Sequence, residues 1–238
     1  MKIAIYGDSF SASHLAAEKF AWYNLLAKKI GGVATSYGLG ASSTFWSYKK
    51  FLEHHSKYDI NIFIASDALK YTKLVDMGGG IMKPISGMKS LEWHTNLPNF
   101  DEQAKDTLEK IKSWFLVSDE EFMVTAQELI LQDIERKGKT IILASELHTA
   151  FVPERIKKSV STFGMWDLAK LVWDSLDIPY DKKSITLQEK EDKIAAHLTE
   201  EGNNLLADLL YKNITEGSIM TLPNHIPHMH KYDYYYGH

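Results

Sequence analysis

The sequence of 238 residues contains no cysteine. Disulfides, thiolate metal sites and a cysteine nucleophile are therefore excluded. No apolar run approaches the roughly 18 residues that a membrane-spanning helix requires. The apolar stretch within MKIAIYGDSF is too short for a signal peptide, so cytoplasmic synthesis without export is expected. No run of Lys or Arg exceeds two residues, and 27 basic against 31 acidic residues leave a formal charge of −4. A protein that neutralises phosphates concentrates positive charge, so neither nucleic acid nor a membrane is expected as a partner. The glycine run at 78–80 lacks the spacing and the GKS or GKT ending of a phosphate loop.

What is present fits a globular chain. Apolar residues make up 45% and charged residues 24%, and the length suits one domain. Ile3, Ala4 and Ile5 form a short strand, Lys2–Tyr6, that stops at Gly7. Apolar residues three or four apart predict a helix over Ala16–Ile30, ended by Gly31-Gly32. A strand is expected at Val33–Tyr37, a helix at Thr44–His55, and a strand at Asp59–Ala65, apolar nearly throughout as buried parallel strands are. From Asp67 to about Pro98 the chain carries Gly and Pro and no sustained period, as lids and binding loops do. Helices are expected at Phe100–Phe115 and Ser118–Lys137, the second capped by Ser118 with Glu121 three residues on. A strand at Lys139–Ser145, a helix at Trp166–Leu176, a short strand at Ile178–Tyr180 and a helix at Glu200–Asn213 follow. Strands alternating with helices predict a three-layer α/β/α sandwich with a flavodoxin-like parallel sheet of about five strands. The domain covers 1–221, with an insertion over about 67–118 beside the site. The tail, 222–238, holds four His, four Tyr and two Pro.

In an open parallel sheet, ligands bind beyond the carboxyl ends of the strands. Three loops at such ends carry small or polar groups: Gly7-Asp8-Ser9, Gly38–Ser43, and Ala65-Ser66-Asp67. A fourth block, His197-Leu198-Thr199-Glu200-Glu201-Gly202, precedes the last helix. A serine on a tight turn, a glycine with an outward N–H, a polar donor and a histidine are the parts of an acyl-transfer site. Each part also has a plainer reading. Asp8 and Ser9 suit a helix-entry turn, Asp8 bonding its own turn; Gly40 suits a turn, and His197 suits a cap. The pairs Trp93-His94 and Trp114-Phe115 could line a pocket or fill the core. His225, His228 and His230 lack a carboxylate-rich or HExxH context, so no metal is expected there. The tail reads as a surface arm or a contact between like subunits.

On Gly7-Asp8-Ser9-Phe10 directly after the first strand, Tyr37-Gly38-Leu39-Gly40, and His197 with its Leu-Thr-Glu-Glu-Gly sequel, the chain resembles the SGNH, or GDSL, hydrolases. The resemblance implies that Ser9 is the nucleophile and His197 its base. It also implies that the N–H groups of Ser9 and Gly40 hold the oxyanion. Two positions depart from the family pattern. Ser66 stands where an Asn donor is usual, and Ile194 stands three residues before the histidine, where an Asp is usual. The nearest acids are Glu191 and Asp192. The third triad member is thus a displaced acid, with Asp192 favoured, or the site works as a dyad, or the chain is a non-catalytic relative. With YKKFLEHHSKYDINIF, these altered blocks resemble SGNH-like proteins from bacteriophages, which implies association with a virion. The activity implied is hydrolysis of a small acyl ester, such as an acetyl group on a carbohydrate, without a cofactor. A sugar hydroxyl in place of water would make it an acyltransferase. A binding or structural module of the same fold, such as a phage particle component, is the alternative.

Overall fold

The computed structural model describes residues 1–12, 21–40, 42–66, 73–76, 82–85, 102–117, 119–137, 139–144, 168, 198, 200–218 and 220. Four parallel strands form the central sheet: β1 (Lys2–Tyr6), β2 (Val33–Ser36), β3 (Ile60–Ile64) and β6 (Thr140–Leu143), in the order β2-β1-β3-β6. The remaining strand expected from the sequence, 178–180, lies outside the described residues, as do 222–238.

Strand alternation decides which side chain meets which helix layer. Ile3 and Ile5 of β1 and Ile62 and Ile64 of β3 face one side. There they pack with Trp22 and Leu26 of α1 (Trp22–Lys29) and with Leu206 and Leu210 of α5 (Glu200–Glu216). Ala4, Tyr6 and Phe63 face the other side, against Phe51 of α2 (Thr44–His54) and Leu131 and Ile134 of α4 (Glu120–Arg136). Helices on both faces of a parallel sheet make this an α/β fold in three layers. Asn61 interrupts the apolar run of β3 without an unpaired group. It accepts from the Tyr6 hydroxyl at 3.2 Å and donates to the His55 carbonyl at 3.2 Å.

Three expectations need adjustment. The first concerns the stretch after Asp67, where no period is visible. It contains an antiparallel pair, β4 (Lys73–Asp76) and β5 (Met82–Ile85), in which Leu74 lies opposite Pro84. Strands of four residues are too short to imprint a period, and a proline in one of them reads as a breaker. The second concerns α4, whose cap is Asp119 and not Ser118: the Asp119 carboxylate accepts from the Phe122 N–H at 3.2 Å. Asp and Ser are near-equal caps, so adjacent candidates are not separable by preference alone. The third concerns α1, which begins at Trp22 after Ala21, while residues 13–20 lie outside the described set. The helix expected over 166–176 is described only at Leu168, which is buried. The helix α3 (Glu102–Val117) precedes α4.

In this strand order the connection after β1 runs outward to β2, while the connection after β3 runs the opposite way, toward β6. Such a reversal places the ligand-binding position of a doubly wound sheet at the carboxyl ends of β1 and β3. The loops after Tyr6 and Ile64 flank that position.

Candidate active site

The turn after β1 is built by Asp8. Its main-chain carbonyl accepts from the Ser11 N–H at 3.0 Å and from the Ser11 hydroxyl at 2.8 Å. Its carboxylate accepts from the Phe10 N–H at 3.3 Å, the local bond an aspartate at a turn favours. The Ser9 carbonyl takes the Ala12 N–H at 3.4 Å. Asp8 and Ser11 are buried, whereas Ser9 between them is partly exposed. Among the described residues, nothing takes the Ser9 N–H or its hydroxyl. The turn thus fixes the neighbours of Ser9, and no described residue engages its hydroxyl or N–H.

The second loop is fastened to the first. The Gly7 carbonyl accepts from the Leu39 N–H at 3.2 Å and from the Ser42 hydroxyl at 2.9 Å. The Ser36 hydroxyl donates to the Ser11 carbonyl and in turn accepts from the Gly38 N–H, the latter at 3.1 Å. Gly38 must lack a side chain, since a Cβ there would lie 2.5 Å from the Ser11 carbonyl carbon. The Ser42 N–H closes on the Leu39 carbonyl at 3.0 Å, so Gly40 sits within a tight turn. Its own N–H has no partner among the described residues.

The third loop is tied to both. The Ser66 hydroxyl lies 3.2 Å from Asp8 Oδ2 and 3.0 Å from the Ser42 carbonyl. Its one proton is shared between these two acceptors. Thr44 clamps the same residue, accepting from the Ser66 N–H at 2.9 Å and donating to its carbonyl at 3.1 Å. Thr44 opens α2, whose N-cap Ser43 accepts from the Trp46 N–H at 3.2 Å. The positive end of the α2 dipole therefore lies beside these loops.

The structure thus brings the loops of Ser9, Gly40 and Ser66 together. His197, Asp192, Glu191 and Ile194 lie outside the described residues. So do the Trp93-His94 pair and His225, His228 and His230. Leu198, next in sequence to His197, is described. It is buried in the apolar cluster that also holds Ile5, Phe10 and Trp22. Among the described residues, no cluster of three or more His, Asp or Glu could hold a metal ion.

Ser42 and Thr44 were not singled out by sequence, although both lie in or beside the Gly38–Ser43 loop. A run of serines and threonines before a helix reads as capping. Its second use, bonding to the strand-exit residues Ser66 and Gly7, 22 and 35 residues away, leaves no local signal.

No protein-family model and no curated protein matches the chain. Among solved structures, the chain is similar to the psychrotrophic esterase EstA from Pseudoalteromonas sp., in a crystal structure inhibited by monoethylphosphonate. The two share 13% identity over 91% of this chain and 97% of that one, with a TM-score of 0.47.

Proposed function

We propose that the chain is a serine esterase of the SGNH type that cleaves a small acyl ester through an acyl-enzyme. One observation carries the reading. Ser9, on the turn after β1, has no partner for its hydroxyl or N–H among the described residues, while its neighbours on the turn are bonded. A nucleophile needs a rigid backbone and a hydroxyl left available to its base, and an oxyanion needs donors not spent on other acceptors. The N–H of Gly40, on the loop fastened to Gly7 and without a partner among the described residues, supplies the second donor.

In this mechanism the Ser9 Oγ attacks the acyl carbon while His197 takes its proton. The Ser9 and Gly40 N–H groups hold the oxyanion. His197 returns the proton to the departing alcohol, and water, deprotonated by the same ring, releases the acid. Ser66 enters as a third donor if its hydroxyl turns from Asp8 and Ser42 toward the substrate. The substrate class proposed is a small acyl ester such as an O-acetyl group on a carbohydrate, after the habits of the family that the motifs resemble.

A second reading has its own support. Ile194 replaces the usual acid, and the Ser66 hydroxyl is engaged inward. Both suit a binding module of the SGNH fold, such as a virion component, that has no turnover. A fluorophosphonate probe separates the readings, because only an activated serine reacts. Labelling that disappears in Ser9→Ala, with hydrolysis of p-nitrophenyl acetate lost in the same variant, is the expected result. An unlabelled wild-type protein, or a folded Ser9→Ala protein with undiminished hydrolysis, would reject the esterase.

A further inference from the structure

A chain of side-chain hydrogen bonds runs from the Ser9 turn to residue 198. It starts from a missing cap. Ala21 precedes α1 and has no side-chain acceptor for the first N–H groups of that helix. The acceptor comes from α5 instead: Asn203 Oδ1 takes the Trp22 N–H at 3.0 Å. The same carboxamide donates through Nδ2 to the Leu198 carbonyl at 3.2 Å. Trp22 in turn donates its indole N–H to the Phe10 carbonyl at 2.9 Å. Trp22 is 1% exposed and Asn203 5%, so water does not compete for these bonds. Capping α1 needs only an acceptor, and filling the space needs only volume. Burial also obliges the carboxamide and indole N–H groups to find acceptors, and the acceptors here are the carbonyls of Leu198 and Phe10.

We infer that Trp22 and Asn203 are positioning residues that fix the separation between the Ser9 turn and the segment carrying His197, an inference that rests on the esterase reading above. Phe10 follows Ser9 in sequence and Leu198 follows His197. The two ends of the relay therefore hold the backbone one residue from the nucleophile and one residue from the base. Proton transfer from serine demands hydrogen-bond contact with the base. A displacement of about 1 Å there costs on the order of 100-fold in rate.

The test is steady-state hydrolysis of p-nitrophenyl acetate by the wild type, Ser9→Ala, Trp22→Phe, Asn203→Ala and the double variant. Each is assayed below its own melting temperature. Trp22→Phe keeps an aromatic ring and the backbone bond while removing the indole N–H, so it carries the test if Asn203→Ala does not fold. Each single variant is expected to lower kcat by about 10-fold or more, with KM within about 2-fold of wild type. The double variant should lose little beyond the worse single one, because cutting either link frees the same motion. Wild-type kcat in either folded single variant, or losses that multiply in the double variant, overturns the relay. A wild type without Ser9-dependent turnover overturns the esterase reading, and the relay's role with it.

Discussion

The Asp8 carboxylate stands 3.2 Å from the Ser66 hydroxyl and so joins the exits of β1 and β3, adjacent strands of the sheet. Its other oxygen shapes the turn on which Ser9 sits. One buried side chain thus sets both the turn and its distance from the next loop. Asp8→Ala removes both acceptors, and with them the bonds from the Phe10 N–H and the Ser66 hydroxyl. A loss of about 1–3 kcal/mol in urea unfolding is expected. Asp8→Asn keeps one acceptor oxygen and should lose less. Equal stability of Asp8→Ala and wild type would show that the turn does not depend on this carboxylate.

Gly38 marks the closest approach of the second loop to the first. A methyl group at 38 meets the backbone of Ser11, its Cβ 2.7 Å from that carbonyl oxygen, and backbone yields less readily than a side chain. Gly38→Ala should destabilise by about 1–3 kcal/mol, the usual cost of overpacking. It should also reduce turnover by moving the loop of Gly40 away from Ser9. Thermal unfolding and kcat measured together check this. A Gly38→Ala protein with wild-type melting temperature and kcat would show that the loops are not held at this distance.

The parts of this fold that sequence discloses are those whose cause is local. β1 and β3 announce themselves because strands buried on both faces are apolar at nearly every position. The start of α2 at Thr44 follows from Ser43, a good cap, and the end of α1 from Gly31-Gly32, whose N–H groups bond back to Lys28 and Ala27. The Ser9 turn is legible as well, since Asp8 bonds to the N–H two residues on. The long-range partnerships are not legible. Ser66 meets Asp8 across 58 residues, and Asn203 meets Trp22 across 181. Nothing near Ala21 signals that its helix is capped from elsewhere, so periodicity alone predicts a start earlier than Trp22. The β4–β5 pair leaves no sequence signal because four-residue strands draw stability from their partner, not from a pattern of their own.

The tyrosines of the α2 layer predict an alkaline limit to stability. Burial, and then the bond to Asp133, hold the Tyr48 hydroxyl up to about 12. Burial, and then the Tyr58 hydroxyl at 2.7 Å, do the same for Tyr37, also to about 12. Burial raises Tyr6 as well. In the unfolded chain these groups titrate near 10. Above that pH the folded state keeps protons that the unfolded state has released, so stability falls as pH rises. The contribution is complete below about 10 and is lost as pH climbs through about 12. Urea unfolding at pH 8, 10 and 11 should show a decline that begins near 10 and is shallower in Tyr48→Phe. A flat profile to pH 11 would contradict the raised values.

The partner of the proposed base is open to a graded test. A catalytic histidine has its second ring nitrogen held by an acceptor, which fixes the tautomer and stabilises the imidazolium. Ile194, three residues before His197, has no acceptor in its side chain. Asp192 lies five residues before His197 and Glu191 six. On a regular helical turn, residues three or four apart share a face and residues five apart do not. Asp192 therefore reaches the ring only from an irregular segment; otherwise a carbonyl or water serves. His197→Ala is expected to cut turnover of p-nitrophenyl acetate by on the order of 1,000-fold or more, the scale of losing a general base that activates the nucleophile. Asp192→Asn should lose markedly less than that and measurably more than Glu191→Gln. Ile194→Asp should raise the rate if the ring has no ionised partner, because a carboxylate stabilises the imidazolium better than a neutral group. Near-wild-type rates in Asp192→Asn and Glu191→Gln, with no gain in Ile194→Asp, would leave a Ser9–His197 dyad. Full activity in a folded His197→Ala protein would remove His197 from the mechanism.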